Sequence, residues 1–194
     1  MQIGITGGIG SGKSTAARLF EEHGFRRIDA DESVKQDLLP RPEVIAAISA
    51  QFGQSVVNRA GQVDRSALAG IVFSDEGALR WLENLLHPML FAEWRRLLSD
   101  GFGEHWIFEV PLLFEKRLEN WFDFTVCVAT TSTLQLSRLA ERGMSQALAE
   151  QRISKQLPLA QKIEFADFVL SNDGSLSFLR AQVARLVVQL NAHR

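Results

Sequence analysis

Gly7-Gly8-Ile9-Gly10-Ser11-Gly12-Lys13-Ser14-Thr15 is the stretch from which the rest of this chain is read. Starting at Gly7 it satisfies G-x-x-x-x-G-K-[ST] at every fixed position. Glycines let successive backbone N–H groups turn inward around phosphate oxygens. Lys13 then reaches the β- and γ-phosphates, and the Ser14 hydroxyl is placed to ligate Mg²⁺. A helix beginning here directs its positive end at the same anion. The flanks agree with that context: residues 3–5, Ile-Gly-Ile, read as a short buried strand, and residues 16–20, Ala-Ala-Arg-Leu-Phe, as a helix. A glycine-rich turn that binds nothing has no need of both.

Composition narrows what surrounds the loop. A chain of 194 residues suits one α/β domain with a small insertion, and 46% hydrophobic residues suffice for a core. The 21 Lys+Arg against 23 Asp+Glu speak against a nucleic-acid binder, which would carry a basic excess, and leave room for a local basic pocket for an anionic small molecule. The single cysteine, Cys127, excludes an internal disulfide and reads as a small buried hydrophobe. The N-terminus enters a strand at once, so no signal peptide is expected. No apolar run reaches the roughly 20 residues of a membrane helix, and the expected setting is cytoplasmic.

After the loop helix, Gly24 reads as a stop and residues 25–28 as a second strand, ending at Asp29-Ala30-Asp31. In open parallel sheets ligands gather outside the carboxyl ends of the strands. Asp29 and Asp31 therefore arrive on the rim that carries the phosphate loop. Carboxylates there repel a triphosphate unless they hold Mg²⁺ or meet a hydroxyl, so the pair reads as a metal or acceptor site. Either residue also suits as an N-cap for a helix over 32–39. Residues 43–100 are helical in pattern, with Ser74 as the cap of a long segment that Pro88 should kink or interrupt. The block is too long for a simple crossover and reads as a helical insertion for the second substrate. His87 reads as a structural polar residue as readily as a ligand contact.

Residues 105–108 form a third strand closed by Glu109, the position at which a P-loop protein holds Mg²⁺ through water. Residues 122–129 form a fourth, almost entirely apolar strand, as in the middle of a parallel sheet. Ser132 and Gln135 have capping-box spacing. Arg138 and Arg142, four apart, share a helix face that can close over a nucleotide, whereas Arg152, Lys155 and Lys162 read equally well as a solvated face. Gly143 serves as hinge and Ser145 as cap of a lid helix. Residues 168–170 are a last strand, 171–174 a turn, and 176–190 a closing amphipathic helix.

These stretches together resemble dephospho-CoA kinase over essentially the whole chain. The resemblance rests on Thr6 to Thr15, Ile28-Asp29-Ala30-Asp31, Asp64-Arg65 with Leu68 and Phe73, Leu86-His87-Pro88, and Val110-Pro111-Leu112-Leu113-Phe114-Glu115. It continues in Arg138 with Arg142, Arg152-Ile153 with Gln156, and Ala166-Asp167 leading to Asn172-Asp173-Gly174. It implies an α/β, P-loop nucleoside-monophosphate-kinase-like three-layer fold: a five-stranded parallel sheet, a helical substrate-binding insertion over about 35–103 and a lid over about 141–164. The core would comprise about 1–34, 104–140 and 165–194 of a single kinase domain.

The implied reaction moves the γ-phosphoryl of ATP to the ribose 3′-hydroxyl of dephospho-CoA, giving coenzyme A and ADP. Asp31 becomes the acceptor-side base, Lys13, Arg138 and Arg142 the charge-handling groups. Gly8, Gly10, Ser11, Gly12, Lys13, Ser14 and Thr15 would bind ATP, with Asn172 and Gly174 near its adenine. Asp31, Lys35, Arg65 and His87 fall on the substrate side. Mg²⁺ would be held by Ser14, with Glu109 or Asp29 through water. A monomer without nucleic-acid or membrane partners is expected.

Three positions depart from the family pattern. Lys35 replaces a common Arg and loses bidentate phosphate geometry. Phe91 replaces an Arg that often follows His-Pro, and Glu109 replaces a frequent Asp. Two alternatives stand beside this reading: a P-loop kinase for another small hydroxyl substrate, and a non-catalytic nucleotide switch. A guanine motif N-K-x-D is absent, and Asp100-Gly101-Phe102-Gly103 precedes a strand instead of following one, so that D-x-x-G match reads as a turn.

Overall fold

The computed structural model describes residues 1–101 and 103–192. Five parallel strands form one sheet in the order β2-β3-β1-β4-β5. Strand β1 (Gln2–Gly7) lies at its centre, between β3 (His105–Glu109) and β4 (Phe124–Ala129). Strands β2 (Phe25–Asp29) and β5 (Phe168–Ser171) pair outside them. The three inner strands are apolar on both faces because helices cover both sides of a parallel sheet. Ile3, Ile5, Ile107, Val126, Cys127 and Val128 are fully buried. Burial pushes the Cys127 thiol up to about 11. The edge strand β5 keeps Val169 exposed.

Helix α1 (Lys13–Glu21) starts directly at the end of the phosphate loop. Its Ala16, Ala17, Leu19 and Phe20 join Leu179, Val183, Leu186 and Leu190 of α9 (Leu176–Ala192) in one cluster under the sheet. Two alanines in the first turns of α1 leave no bulk to hold the helix away from β1. The C-terminal half of the chain adds α6 (Ser132–Glu141), α7 (Gln146–Ser154) and α8 (Leu159–Phe165). Ser145 caps α7 by accepting the Leu148 N–H. Asp167 sets β5 in register by accepting the Thr125 N–H and hydroxyl, at 2.7 and 2.8 Å.

The chain divides into two compact units: residues 1–29 with 103–194, and residues 30–102. The first holds the sheet. The second contains α2 (Ala30–Ser33), a π-helical turn (Val34–Leu38), α3 (Pro42–Phe52), α4 (Arg65–Val72) and α5 (Glu76–Asp100). Several local expectations are corrected here. The helix expected over 32–39 starts at Ala30 and widens after Ser33, where Leu39 N–H reaches back to Val34 O at 2.9 Å.

Asp75, not Ser74, caps α5, accepting from Gly77 and Ala78 N–H, while the Ser74 hydroxyl donates back to Gly70 and Ile71 carbonyls. Helix α5 runs through Pro88 without a break. Pro88 and Asn84, whose carbonyl loses its donor, both lie on the exposed face where water can replace the bond. Leu86, Leu90 and Trp94 anchor the buried face on either side. Of the stretch read as a turn, Asp100 ends α5 and Gly101 follows as its cap, while Phe102 lies outside the described residues.

Leu179→Ala should lower unfolding free energy by about 2–5 kcal/mol, because the site is fully enclosed and cannot collapse. Val188, on the same helix but 70% exposed, should change by less than about 0.5 kcal/mol when truncated. Denaturant midpoints of the two variants check the assignment of the α9 face.

Candidate active site

The loop after β1 turns three times through backbone space that favours glycine, with φ +145° at Gly7, +77° at Gly10 and +95° at Gly12. What holds it is a set of donors on its carbonyls. Lys13 Nζ donates to the Gly7 and Gly8 carbonyls, both at 3.0 Å. Gln135 Nε2 donates to Ile9 O at 2.9 Å. Asn172 Nδ2 donates to Ser11 O at 2.7 Å, and Arg138 NH1 joins it at 3.4 Å. The second Arg138 nitrogen donates to Asn172 O at 2.9 Å. A loop that must present N–H groups to an anion keeps its carbonyls turned away, and here side chains from α6 and from the end of β5 receive them.

Asn172 is itself fixed. Its N–H donates to Ala129 O at 2.8 Å, in the β4–β5 ladder. The neighbouring Asp173 carboxylate accepts the Thr130 hydroxyl and the Thr131 N–H, at 2.8 and 2.7 Å. The Thr130 hydroxyl, then the Thr131 N–H, hold Asp173 below the usual carboxylate range. Thr131 is the cap of α6, accepting from Leu134 N–H, so the expected Ser132–Gln135 capping box does not form. Gln135 points to the phosphate loop instead and is almost fully buried.

Arg138 and Arg142 do not share one environment. Arg138 is built into the loop's support, whereas Arg142 is the C-cap of α6 and exposed. Gly174 lies in the turn before α9, against the Phe178 ring. Ser14 and Thr15 fall in the first turn of α1.

Glu109 closes β3 in register with Asp29 at the end of β2. It is 3% exposed, and one of its oxygens is held by Arg27 Nε. Arg27 NH2 also reaches Asp29 Oδ2 at 3.4 Å. Arg27 was not singled out in the sequence, yet it had a signal: residues 27 and 29 are two apart on one strand and so share a face. Lys162, read as a candidate for a solvated face, is fully buried and pairs with Glu115 Oε1 at 2.7 Å. A charge at helical spacing looks the same from the sequence whichever way its helix is turned.

In the 30–102 unit, Asp31, Lys35 and Arg65 line a cavity of about 240 Å³ whose walls are Leu39, Leu68, Val72 and Leu82 among others. Asp31 sits in the first turn of α2, Lys35 in the π-helical turn and Arg65 at the start of α4. His87 is not in that lining; its ring lies 5.8 Å from Phe91, which in turn packs on Trp94 at 5.6 Å.

A family model for dephospho-CoA kinase matches residues 1–177. The chain belongs to the dephospho-CoA kinase family. A dephospho-CoA kinase from Geobacillus kaustophilus is 36% identical, covering 99% of this chain and 98% of that protein. A crystal structure from Thermus thermophilus is 34% identical with a TM-score of 0.86, covering 98% of this chain and 97% of that one. The dephospho-CoA kinase from Campylobacter jejuni is 26% identical with a TM-score of 0.71, covering 97% and 96%. The reaction of the dephospho-CoA kinase family is the final step of coenzyme A biosynthesis, so the chain is a phosphotransferase that uses ATP and dephospho-CoA. Neither alternative reading, another hydroxyl substrate or a non-catalytic switch, gains support from these relatives. Among the described residues no helix is long and apolar enough to cross a membrane.

Gly12→Ala tests the loop's construction. A methyl group there would overlap the Asn172 carboxamide and sit at φ +95°. The left-handed conformation alone should cost about 1–2 kcal/mol, and ADP affinity should fall at least about tenfold. Adding Asn172→Ala removes the overlap but not the backbone strain, so calorimetric titration of the double variant should show partial recovery at most.

Proposed function

We propose that ATP binds on the loop with its phosphates against Gly8, Gly10, Ser11, Gly12, Lys13, Ser14 and Thr15, and that Asp31 receives the proton of the ribose 3′-hydroxyl of dephospho-CoA as the γ-phosphoryl arrives. The observation that carries this reading is the cavity that joins one carboxylate to two cations over apolar walls. An acceptor with a hydroxyl to orient, a diphosphate to neutralise and a long, weakly polar arm to bury asks for that combination. Lys35 and Arg65 would neutralise the diphosphate, Leu39, Val72 and Leu82 would take the arm, and His87 would border the substrate from α5. Gly174, in the turn after β5, would border the adenine together with Asn172.

A carboxylate is a weak base at neutral pH. Phosphoryl transfer tolerates that, because its loose transition state lets the hydroxyl lose its proton late. Asp31 is then needed mainly to aim the oxygen. Charge spreads over the γ-phosphoryl oxygens in that transition state, and Lys13, Arg138 and Arg142 are the cations proposed to meet it. Arg138 is positioned in advance by its bonds to the loop and Asn172. Arg142, exposed at the end of α6, would come in with the α7 part of the lid, since Lys162 fastens α8 to the core.

The donor set fits Mg²⁺. Ser14, Asp29 and Glu109 offer hard oxygen ligands, and no group of three His, Cys, Asp or Glu side chains converges among the described residues. That suits an ion which keeps several waters and takes its remaining ligands from substrate phosphates. Ser14 would ligate it directly, with Glu109 or Asp29 through water. Bound there, it would neutralise charge on the phosphate oxygens. The reading includes a monomeric enzyme in a cytoplasmic setting.

Asp31→Asn is nearly isosteric but accepts no proton. It should bind ATP normally, keep its melting temperature within about 2–4 °C, a shift of about 1 kcal/mol for a chain of this size, and lose most of kcat. Asp29→Asn should be milder. If coupled assays of ADP release find Asp29 essential and Asp31 dispensable, the base is misassigned. Lys13→Ala should abolish turnover, and Arg142→Ala should cut kcat by a factor on the order of 10³–10⁵, the contribution of an arginine finger. An unchanged kcat would reduce Arg142 to a solvated charge.

A further inference from the structure

Ile9 lies inside the phosphate loop, and the two peptide groups it joins are held from two directions. Its carbonyl accepts from Gln135 of α6, as described above. Its N–H donates to Gln156 Oε1 at 3.0 Å. Gln156 belongs to the short connection between α7 and α8, and nothing in its spacing marks it as a partner of a residue 147 positions away.

That connection is itself pinned. The N–H of the next residue, Leu157, donates to Glu115 Oε1 at 2.9 Å. The same Glu115 oxygen takes the Lys162 ammonium at 2.7 Å. Lys162 donates in addition to Pro111 O at 2.9 Å, and Pro111 O also accepts the Thr6 hydroxyl at 3.2 Å. Thr6 precedes the phosphate loop on β1. The chain of contacts therefore leaves β1, runs through the loop after β3, crosses the Glu115–Lys162 pair to the α7–α8 connection, and returns to the loop at Ile9.

A buried ion pair is weak support for stability, because desolvation cancels much of the attraction. This pair also leaves Glu115 Oε2 buried without a hydrogen-bond partner among the described residues, a further cost. What the pair does supply is registry. Two apolar side chains could fill the space but could not fix the Leu157 N–H, and with it the reach of Gln156.

We propose that Gln156 is a positioning residue for nucleotide binding: its carboxamide holds the Ile9 peptide from outside the loop, and the buried Glu115–Lys162 pair holds Gln156 in place. It touches no substrate and acts through the loop backbone. With the Gly8–Ile9 peptide held by its N–H and the Ile9–Gly10 peptide by its carbonyl, each by a glutamine, rotation of both is blocked, and the N–H groups that follow stay directed at the phosphate position. The inference rests on the nucleotide occupying this loop.

The test is calorimetric titration of ADP, which needs no turnover, together with steady-state kinetics. Gln156→Ala removes one net hydrogen bond and should weaken ADP binding and raise the KM for ATP by about threefold to tenfold. The KM for dephospho-CoA and the melting temperature should stay at wild-type values, which a merely structural defect would not allow. Glu115→Gln should weaken ADP binding in the wild-type background and add little in the Gln156→Ala background, since both act on one contact. A Gln156→Ala protein that binds ADP as the wild type does overturns the proposal, even if Glu115→Gln fails to fold. Fully additive losses overturn the Glu115 link. A wild-type chain that binds no ADP overturns the nucleotide reading and the inference with it.

Discussion

A backbone that offers N–H groups to an anion must put its carbonyls somewhere else, and this constraint governs the first unit of the structure. The loop's own glycines allow the turns, but they do not choose among them. The choice is made by donors on the outward carbonyls: Lys13 on Gly7 and Gly8, Gln135 on Ile9, Asn172 and Arg138 on Ser11. Each donor comes from an element placed by the parallel sheet. Helix α6 follows β4, the neighbour of β1, and Asn172 follows β5, the next strand out. The sheet order is thus part of the binding loop, because it brings residues distant in the chain to the one side where the carbonyls emerge.

Charge is handled by the same economy of position. Glu109 and Asp29 end adjacent parallel strands in register, so their carboxylates fall side by side and would repel one another. Arg27, two residues before Asp29 on the same strand face, bridges them. The result is an acidic pair whose geometry is set by an arginine, which orients one oxygen of each carboxylate. Lys162 and Glu115 are the buried counterpart, an ion pair whose position fixes the α7–α8 connection.

The second unit shows how departures from the family pattern are absorbed. Phe91 stands where an arginine is common, and here it extends an aromatic row from His87 to Trp94 along α5. Its ring adds packing on that helix face. Lys35 occupies the π-helical turn after α2, where the widened backbone carries its side chain into the cavity with Asp31 and Arg65. One cation is kept there, though without the planar fork of arginine.

Much of the fold follows from local chemistry. The loop motif fixes β1 and α1 on either side of it, and apolar runs bounded by acidic or glycine residues mark the other strands. Asp29, Asp31, Glu109, Arg138 and Asn172 all stand at strand or helix ends, where position along an element is enough to nominate them. Other features depend on contacts that no spacing records. Pro88 is tolerated because its face of α5 is wet. Gln135 leaves a capping role for a carbonyl 126 positions away, and Lys162 is a core residue because α8 turns that side inward. The sequence carries the pattern of each element, since propensity and periodicity act over a few residues. Which face meets which partner is decided only when the sheet assembles, because a hydrogen bond or an ion pair depends on distance in space and not on distance along the chain.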